Sequence, residues 1–248
     1  GNYLFTPEER DAFIAKEPAS APWFRRWLGS VEFLNGYERW CLWLGDCPPA
    51  ELRAMPEALK RVQAVRSFRL ASKRASTVKI AATPTRFLVH NMPATPYLVL
   101  PEVSSERRPF IPFGFEQPST LCSNFVKIAP GATLLHFGVL SSTMHMAWVR
   151  TTCGRLKSDY RYSKDIVYNN FPWPDLGSTG LAPAQGPQSL EDENTEKNKA
   201  LPGVARSLAA IEIAAQAVLD ARAKFQTGAH PASLADLYDP LTMPPALL

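Results

Sequence analysis

Cys153-Gly-Arg-Leu-Lys-Ser-Asp-Tyr-Arg-Tyr-Ser163 is the core of the most informative stretch in this 248-residue chain; Met144-His-Met-Ala-Trp148 precedes it and Val167-Tyr-Asn-Asn-Phe-Pro-Trp-Pro174 follows. The residues before it predict a helix from about Val139 to Cys153, stopped by Gly154 at the position where a helix end favours a left-handed backbone. Arg150, Arg155, Lys157, Arg161 and Lys164 then place five cations within 15 residues, with Asp159 as the acid among them and Tyr160 and Tyr162 interleaved. Beyond the helix these side chains lie in a loop able to track a sugar-phosphate backbone. A basic surface loop with its tyrosines packed on the core is the plainer alternative. Ile166–Tyr168 reads as one more strand.

Upstream, the pattern alternates between short strands and turns. Candidate strands are Phe87–His90, Tyr97–Leu100, Phe110–Phe115 and Phe125–Ile128, with Pro93, Pro96, Pro109, Pro112 and Pro118 between them. Proline cannot donate to a ladder, so these belong to edges and loops of an irregular sheet. Trp40 to Leu44 is a further strand, apolar on both faces. Thr6-Pro-Glu-Glu9 signals a helix start, with Thr as N-cap, Pro at the first helical position and Glu three residues after the cap. From Pro56 the spacing of Leu59, Val62, Val65 and Phe68 is helical, and the other side carries Lys60, Arg61, Arg66, Arg69, Lys73 and Arg74. A solvated helix gains from mixing signs, so a one-signed face points to an anionic partner.

Downstream, residues 177–200 are polar and aperiodic and read as a linker. Ala205–Phe225 is a strong helix, with Leu208, Ile211, Ala215, Val218 and Leu219 on one face, and a Pro-punctuated helical piece spans Ser233–Leu248. The expected organisation is a domain over 1–176, a linker over 177–200 and a helical region over 201–248. The fold class is α+β: an irregular twisted antiparallel sheet with flanking helices, followed by a small C-terminal helical segment.

Charge is unevenly distributed. The net value of +4 divides into −2 over residues 1–50, +9 over 51–177 and −3 over 178–248, so the middle faces a polyanion best. No apolar run is long enough to span a membrane and no signal peptide opens the chain. The start lacks Met, which suggests a piece of a longer protein. Cys41, Cys47, Cys122 and Cys153 show no zinc-like spacing and read as free thiols of a cytoplasmic protein.

Catalytic signatures are not found in the residues. No two glycines have the G-x-G spacing of a nucleotide-type cofactor turn. Cys47-Pro-Pro-Ala50 and Met243-Pro-Pro-Ala246 lack the polar and aromatic neighbours that hold a flipped base against a methyl donor, and read as turns. No Glu/Asp-x-Lys exists for a metal-dependent nuclease, nor a Gly-x-Ser-x-Gly elbow, nor a Walker loop. No metal site is expected. His136 and His145 sit among apolar residues and read as satisfied core histidines.

Several ordered motifs carry a resemblance. They are Asn2-Tyr-Leu4, Asn35-Gly-Tyr-Glu-Arg-Trp-Cys-Leu-Trp-Leu44, Val65-Arg-Ser-Phe-Arg-Leu-Ala-Ser72, Pro101-Glu-Val-Ser-Ser-Glu-Arg-Arg108, His136-Phe-Gly-Val-Leu-Ser-Ser142, the 144–174 stretch, and Leu237-Tyr-Asp-Pro-Leu-Thr-Met-Pro-Pro245. Together they resemble the C-terminal part of the MmeI-like family of restriction-modification enzymes and their methylase relatives. In that family a nuclease and an adenine-N6 methyltransferase share one target-recognition domain, followed by a short helical region. The resemblance implies that this chain is the recognition domain and helical region. Its partners would be double-stranded DNA and the upstream methyltransferase domain of the same polypeptide. The parent would use S-adenosylmethionine, with no cofactor in this fragment.

Motifs shared by relatives that read different sites suit positioning on the DNA backbone. The candidates are Arg66, Arg69, Lys73, Arg74, Arg107, Arg108, Arg150, Arg155, Lys157, Tyr160, Arg161 and Lys164. Base readers are expected between the motifs: Lys79, Arg86, Asn91, Asn124 and Lys127, since Arg and Lys suit guanine and Asn suits adenine in the major groove. One rival reading is a protein-interaction or inter-domain scaffolding module without base readout. Another is a stand-alone enzyme built around His136, His145 and Cys153.

Overall fold

The computed structural model describes residues 2–89, 92–174 and 202–247, with side chains from residue 205 in the last segment. The strands are β1 (Leu4–Phe5), β2 (Phe24–Leu28), β3 (Trp40–Leu42), β4 (Tyr97–Pro101), β5 (Val103–Ser104), β6 (Gly114–Glu116), β7 (Thr120–Cys122), β8 (Val126–Pro130), β9 (Gly154–Leu156) and β10 (Asp159–Arg161). The helices are α1 (Pro7–Lys16), α2 (Ser30–Asn35), α3 (Pro49–Arg53), α4 (Pro56–Leu70), α5 (Ala75–Lys79), α6 (Leu134–Leu140), α7 (Thr143–Thr152), α8 (Pro202–Phe225) and α9 (Leu234–Tyr238). Mixed short strands and separate helices make the fold α+β. The chain forms two compact units. One holds Gly1–Glu32, Tyr37–Met92 and Ser119–Asn124; the other holds Phe33–Gly36, Pro93–Pro118 and Phe125–Leu248.

In the first unit the sheet order is β1-β3-β2-β7, antiparallel except for the parallel pair β2–β7. A parallel pairing was not part of the sequence expectation, because β7 lies some ninety residues after β2 and only tertiary structure brings them together. The strand expected over Trp40–Leu44 ends at Leu42: Cys41 and Leu42 of β3 are buried, and Trp43 and Leu44 are buried just beyond its end. The capping box of α1 forms as read: the Glu9 amide donates to Thr6 Oγ1 at 3.2 Å and the Thr6 amide to Glu9 Oε2 at 2.9 Å. Helix α4 starts at Pro56 with no cap of its own. The buried Glu17 supplies one from a distance, accepting from the Glu57 amide (2.8 Å) and the Ala58 amide (2.9 Å). A carboxylate at a helix N-terminus satisfies orphan donors and complements the macrodipole.

The second unit contains two three-stranded antiparallel sheets, β6-β4-β8 and β5-β10-β9. All five residues of the central strand β4 are buried. Around it Leu98, Leu100, Ile111, Phe113, Phe137, Leu140, Met146, Val149, Tyr160 and Tyr162 form the core, and Ala215 of α8 joins them. Helices α6 and α8 cross closely at Gly138, where a Cβ would stand 2.7 Å from Ile211 Cγ2 and 3.2 Å from the Ile211 carbonyl oxygen.

Several local expectations are corrected. The helix expected over 139–153 is two helices, because Ser141 ends α6 and Ser142 caps α7 by accepting from the His145 amide at 3.1 Å. Serine side chains compete for backbone donors in this way. Ile166–Tyr168 is not a strand but part of a wide helical turn over Lys164–Tyr168, closed by Asn169 N–H donating to the Lys164 carbonyl at 2.8 Å. Of 110–115 only Gly114 and Phe115 enter a strand, and Phe87–Val89 enters none. The 177–200 linker and His90 lie outside the described residues.

Candidate nucleic-acid interface

The basic stretch of residues 154–161 is a β-hairpin rather than an open loop. Strands β9 and β10 pair Leu156 with Asp159, leaving Lys157 and Ser158 as a two-residue turn. Lys157 takes φ 58°, and among described non-glycine residues it alone has a positive φ. A positive φ at the first turn position alone is the pattern of a type II′ hairpin turn, where glycine is preferred. Residues 154–158 are all exposed. Arg155 lies flat over the Tyr160 ring, 3.8 Å from its centre, and donates to the Ser158 carbonyl at 2.9 Å. Tyr160 is buried beneath it and so props the guanidinium instead of reaching outward.

The other cations of this unit are more heavily engaged. Glu102 accepts from Arg161 Nε and Lys127 Nζ, both at 3.3 Å. Lys164 pairs with Asp165, and Arg107 with Asp239. Arg150 donates to the Pro109 carbonyl at 3.0 Å. Arg108 is half-buried; burial pushes its pKa down, while Asp239 and Asp159 nearby oppose that. Exposed ion pairs of this kind contribute about 0–1 kcal/mol, so Arg161 and Lys164 can exchange a carboxylate for a phosphate at little cost.

In the first unit Arg66, Lys73, Arg74, Lys79 and Arg86 are exposed, and none makes an ion pair among the described residues. Arg69 differs: its guanidinium donates to three backbone carbonyls, those of Ile80, Thr83 and Arg86. Asn124 is exposed in this unit, and Asn91 lies outside the described residues.

His136, His145 and Cys153 do not assemble a nucleophile and base. His145 Nε2 is 3.0 Å from the buried Tyr162 hydroxyl, and burial lowers its pKa to about 4. His136 Nδ1 accepts from the Thr133 amide at 3.1 Å, completing the cap of α6. Burial raises the pKa of the Cys153 thiol, which disfavours the nucleophilic thiolate. Among the described residues no hydrogen bond links the three. The Pro-Pro pairs act as helix starts: Pro49 opens α3 and Pro245 opens a short 3₁₀ turn. No helix among the described residues is long and apolar enough to cross a membrane.

Residues 1–175 match the MmeI target recognition domain, and residues 205–248 match the MmeI C-terminal domain. The chain belongs to the MmeI target-recognition family. It is 36% identical over 244 residues to DNA methyltransferase A of Bacillus subtilis (strain 168), which covers 98% of this chain but 24% of that relative. It is similar over its whole length to the type IIL restriction-modification enzyme MmeI, solved in complex with DNA, with 43% identity and a TM-score of 0.82. This chain spans 29% of that enzyme. The signals that sequence reading missed are the three-carbonyl role of Arg69 and the prop role of Tyr160. An Arg on a helix and a Tyr between cations look the same whether they face a ligand or the fold.

Proposed function

We propose that this chain is the sequence-specific double-stranded DNA recognition module of a larger adenine-N6 DNA methyltransferase or restriction-modification enzyme. The observation that carries this is the match of residues 1–175 to a target recognition domain, joined to full-length similarity to an enzyme solved with DNA. The exposed β9–β10 hairpin and the exposed cations Arg66, Lys73, Arg74, Lys79 and Arg86 supply the electrostatics such a role needs.

In this reading Arg155, Lys157 and Arg161 hold the phosphate backbone from the hairpin. Lys79, Arg86, Asn91, Asn124 and Lys127 are the candidates for base edges. The methyl transfer, and the S-adenosylmethionine that supplies the methyl group, belong to another domain of the same cytoplasmic polypeptide. The proposed organisation keeps 1–176 as the recognition domain, 177–200 as a linker and 201–248 as a helical region.

The test is a salt titration of binding to a pool of duplex DNA, comparing the chain with an Arg155→Ala/Lys157→Ala/Arg161→Ala variant. The expected result is a steep fall of affinity with salt and a slope shallower by up to about 2.7 in the variant, about 0.9 per phosphate contact. A well-folded chain that ignores duplex DNA at low salt would refute the reading and favour a protein-docking module.

A further inference from the structure

We infer that Arg69 does not touch nucleic acid but is a positioning residue, which builds a second DNA-backbone surface on the first unit. This deepens the DNA-recognition reading and rests on it. Arg69 Nη1 donates to the carbonyls of Ile80 (3.0 Å) and Thr83 (2.9 Å), and Nη2 to that of Arg86 (2.7 Å). The Tyr3 hydroxyl donates to a fourth carbonyl in the same segment, that of Pro84, at 2.8 Å. Four of the seven carbonyls between residues 80 and 86 are thus turned towards two side chains of the fold. No carboxylate pairs with Arg69 among the described residues. Three of the five N–H donors of its planar fork are committed to backbone, which fixes the guanidinium on this loop.

The segment held this way connects cations of one sign. Arg66 lies on α4, Lys73 and Arg74 follow its end, Lys79 ends α5, and Arg86 closes the held loop. Helix α5 and the 3₁₀ turn Ile80–Ala82 both pack on α4, so these five side chains belong to one assembled region. All five are exposed, and none has an ion-pair partner among the described residues. An uncompensated group of like charges repels itself in solution, and neutralisation by a polyanion removes that cost. Carbonyl oxygens that accept from a guanidinium also have their negative partial charge compensated. Duplex DNA is the ligand whose chemistry fits: Arg66, Lys73 and Arg74 suit its extended, anionic backbone, beside Lys79 and Arg86 as the candidates for base edges.

Charge and geometry make opposite predictions for Arg69→Lys, which keeps the charge but cannot place donors on three carbonyls. A positioning role predicts that Arg69→Lys behaves like Arg69→Met. Both should speed amide exchange at Thr83 and Arg86, whose N–H groups bond within this loop. Both should weaken duplex binding about 15-fold at about 50 mM salt, the size of one lost phosphate contact. Lys73→Ala/Arg74→Ala, at exposed positions, should leave exchange unchanged and lower the salt slope by about 1.8. Wild-type affinity in Arg69→Lys with loss in Arg69→Met would mean a direct charge contact and overturn the proposal. A loosened loop with unchanged binding, or an unchanged slope in the double variant, would overturn it too, and would leave an acidic protein surface as the occupant. A wild-type chain that does not bind DNA at all would instead sink the reading beneath it.

Discussion

Replacing Lys157 by glycine should stabilise the protein slightly and weaken DNA binding, two effects of opposite sign from one side chain. Lys157 holds φ 58° in a two-residue turn. A left-handed backbone costs a residue with a Cβ about 1–2 kcal/mol. Glycine is free of that cost but gives up about 0.5–1 kcal/mol through the greater freedom of its unfolded chain. The net expectation is stabilisation by about 0–1.5 kcal/mol in urea unfolding, with the hairpin retained. The lost ammonium removes one phosphate contact. Its contribution scales as salt concentration to the power of about −0.9, so affinity should fall about 15-fold at 50 mM salt and about 4-fold at 200 mM. The assay is duplex-binding anisotropy across that range, alongside urea midpoints for both proteins. Parallel salt lines for the two proteins would refute phosphate contact by Lys157. A destabilisation well beyond about 1 kcal/mol would refute the strain argument.

Other perturbations test the scaffold that presents these residues. Glu17→Ala removes a buried carboxylate from two amides of α4 and should destabilise the first unit by about 2–3 kcal/mol in urea unfolding, whereas a surface role predicts almost no change. Gly138→Ala forces a methyl against the Ile211 backbone and should cost about 1–3 kcal/mol, with faster amide exchange in α8; unchanged protection there would contradict the α6–α8 crossing. His145 has its pKa pushed down to about 4 by burial, so the unfolded chain takes a proton near its ordinary value that the native state refuses. The stability this represents is present above about pH 6.5 and lost as pH falls towards about 4, amounting to about 2 kcal/mol between pH 7 and pH 5. His145→Gln should flatten that dependence, with a residual slope from His136, whose pKa burial also lowers. An undiminished slope would mean that other groups set it.

What could be read in advance followed from local chemistry. Thr6-Pro-Glu-Glu9 specifies a capped helix wherever it occurs, and the doubly apolar run from Trp40 marks β3, which ends at Leu42, short of the expected Leu44. Arg222 shows where such reading stops. The apolar line Leu208, Ile211, Ala215, Leu219 continues at helical spacing to this arginine, which is 6% exposed. It lies between the Phe137 ring at 5.0 Å and the Tyr238 ring at 4.8 Å, and donates to the Phe113 carbonyl at 2.6 Å. Periodicity flags apolar residues and passes over a buried cation, even though burial here lowers its pKa to about 10. The candidate interface was legible as composition but not as geometry. Nothing in Cys153–Ser163 distinguishes a loop from a hairpin when the turn pair is Lys-Ser instead of Asn-Gly. Which cations are engaged, as Arg69 is, depends on carbonyls far along the chain.

The role proposed for this chain is to decide where a larger enzyme acts on DNA. The most direct test transplants it in place of the matching segment of the Bacillus subtilis relative and maps the modified bases in DNA exposed to the chimera. Modification is expected to move to a new sequence motif set by the transplanted chain. A folded, active chimera that still modifies the host enzyme's motif would contradict it.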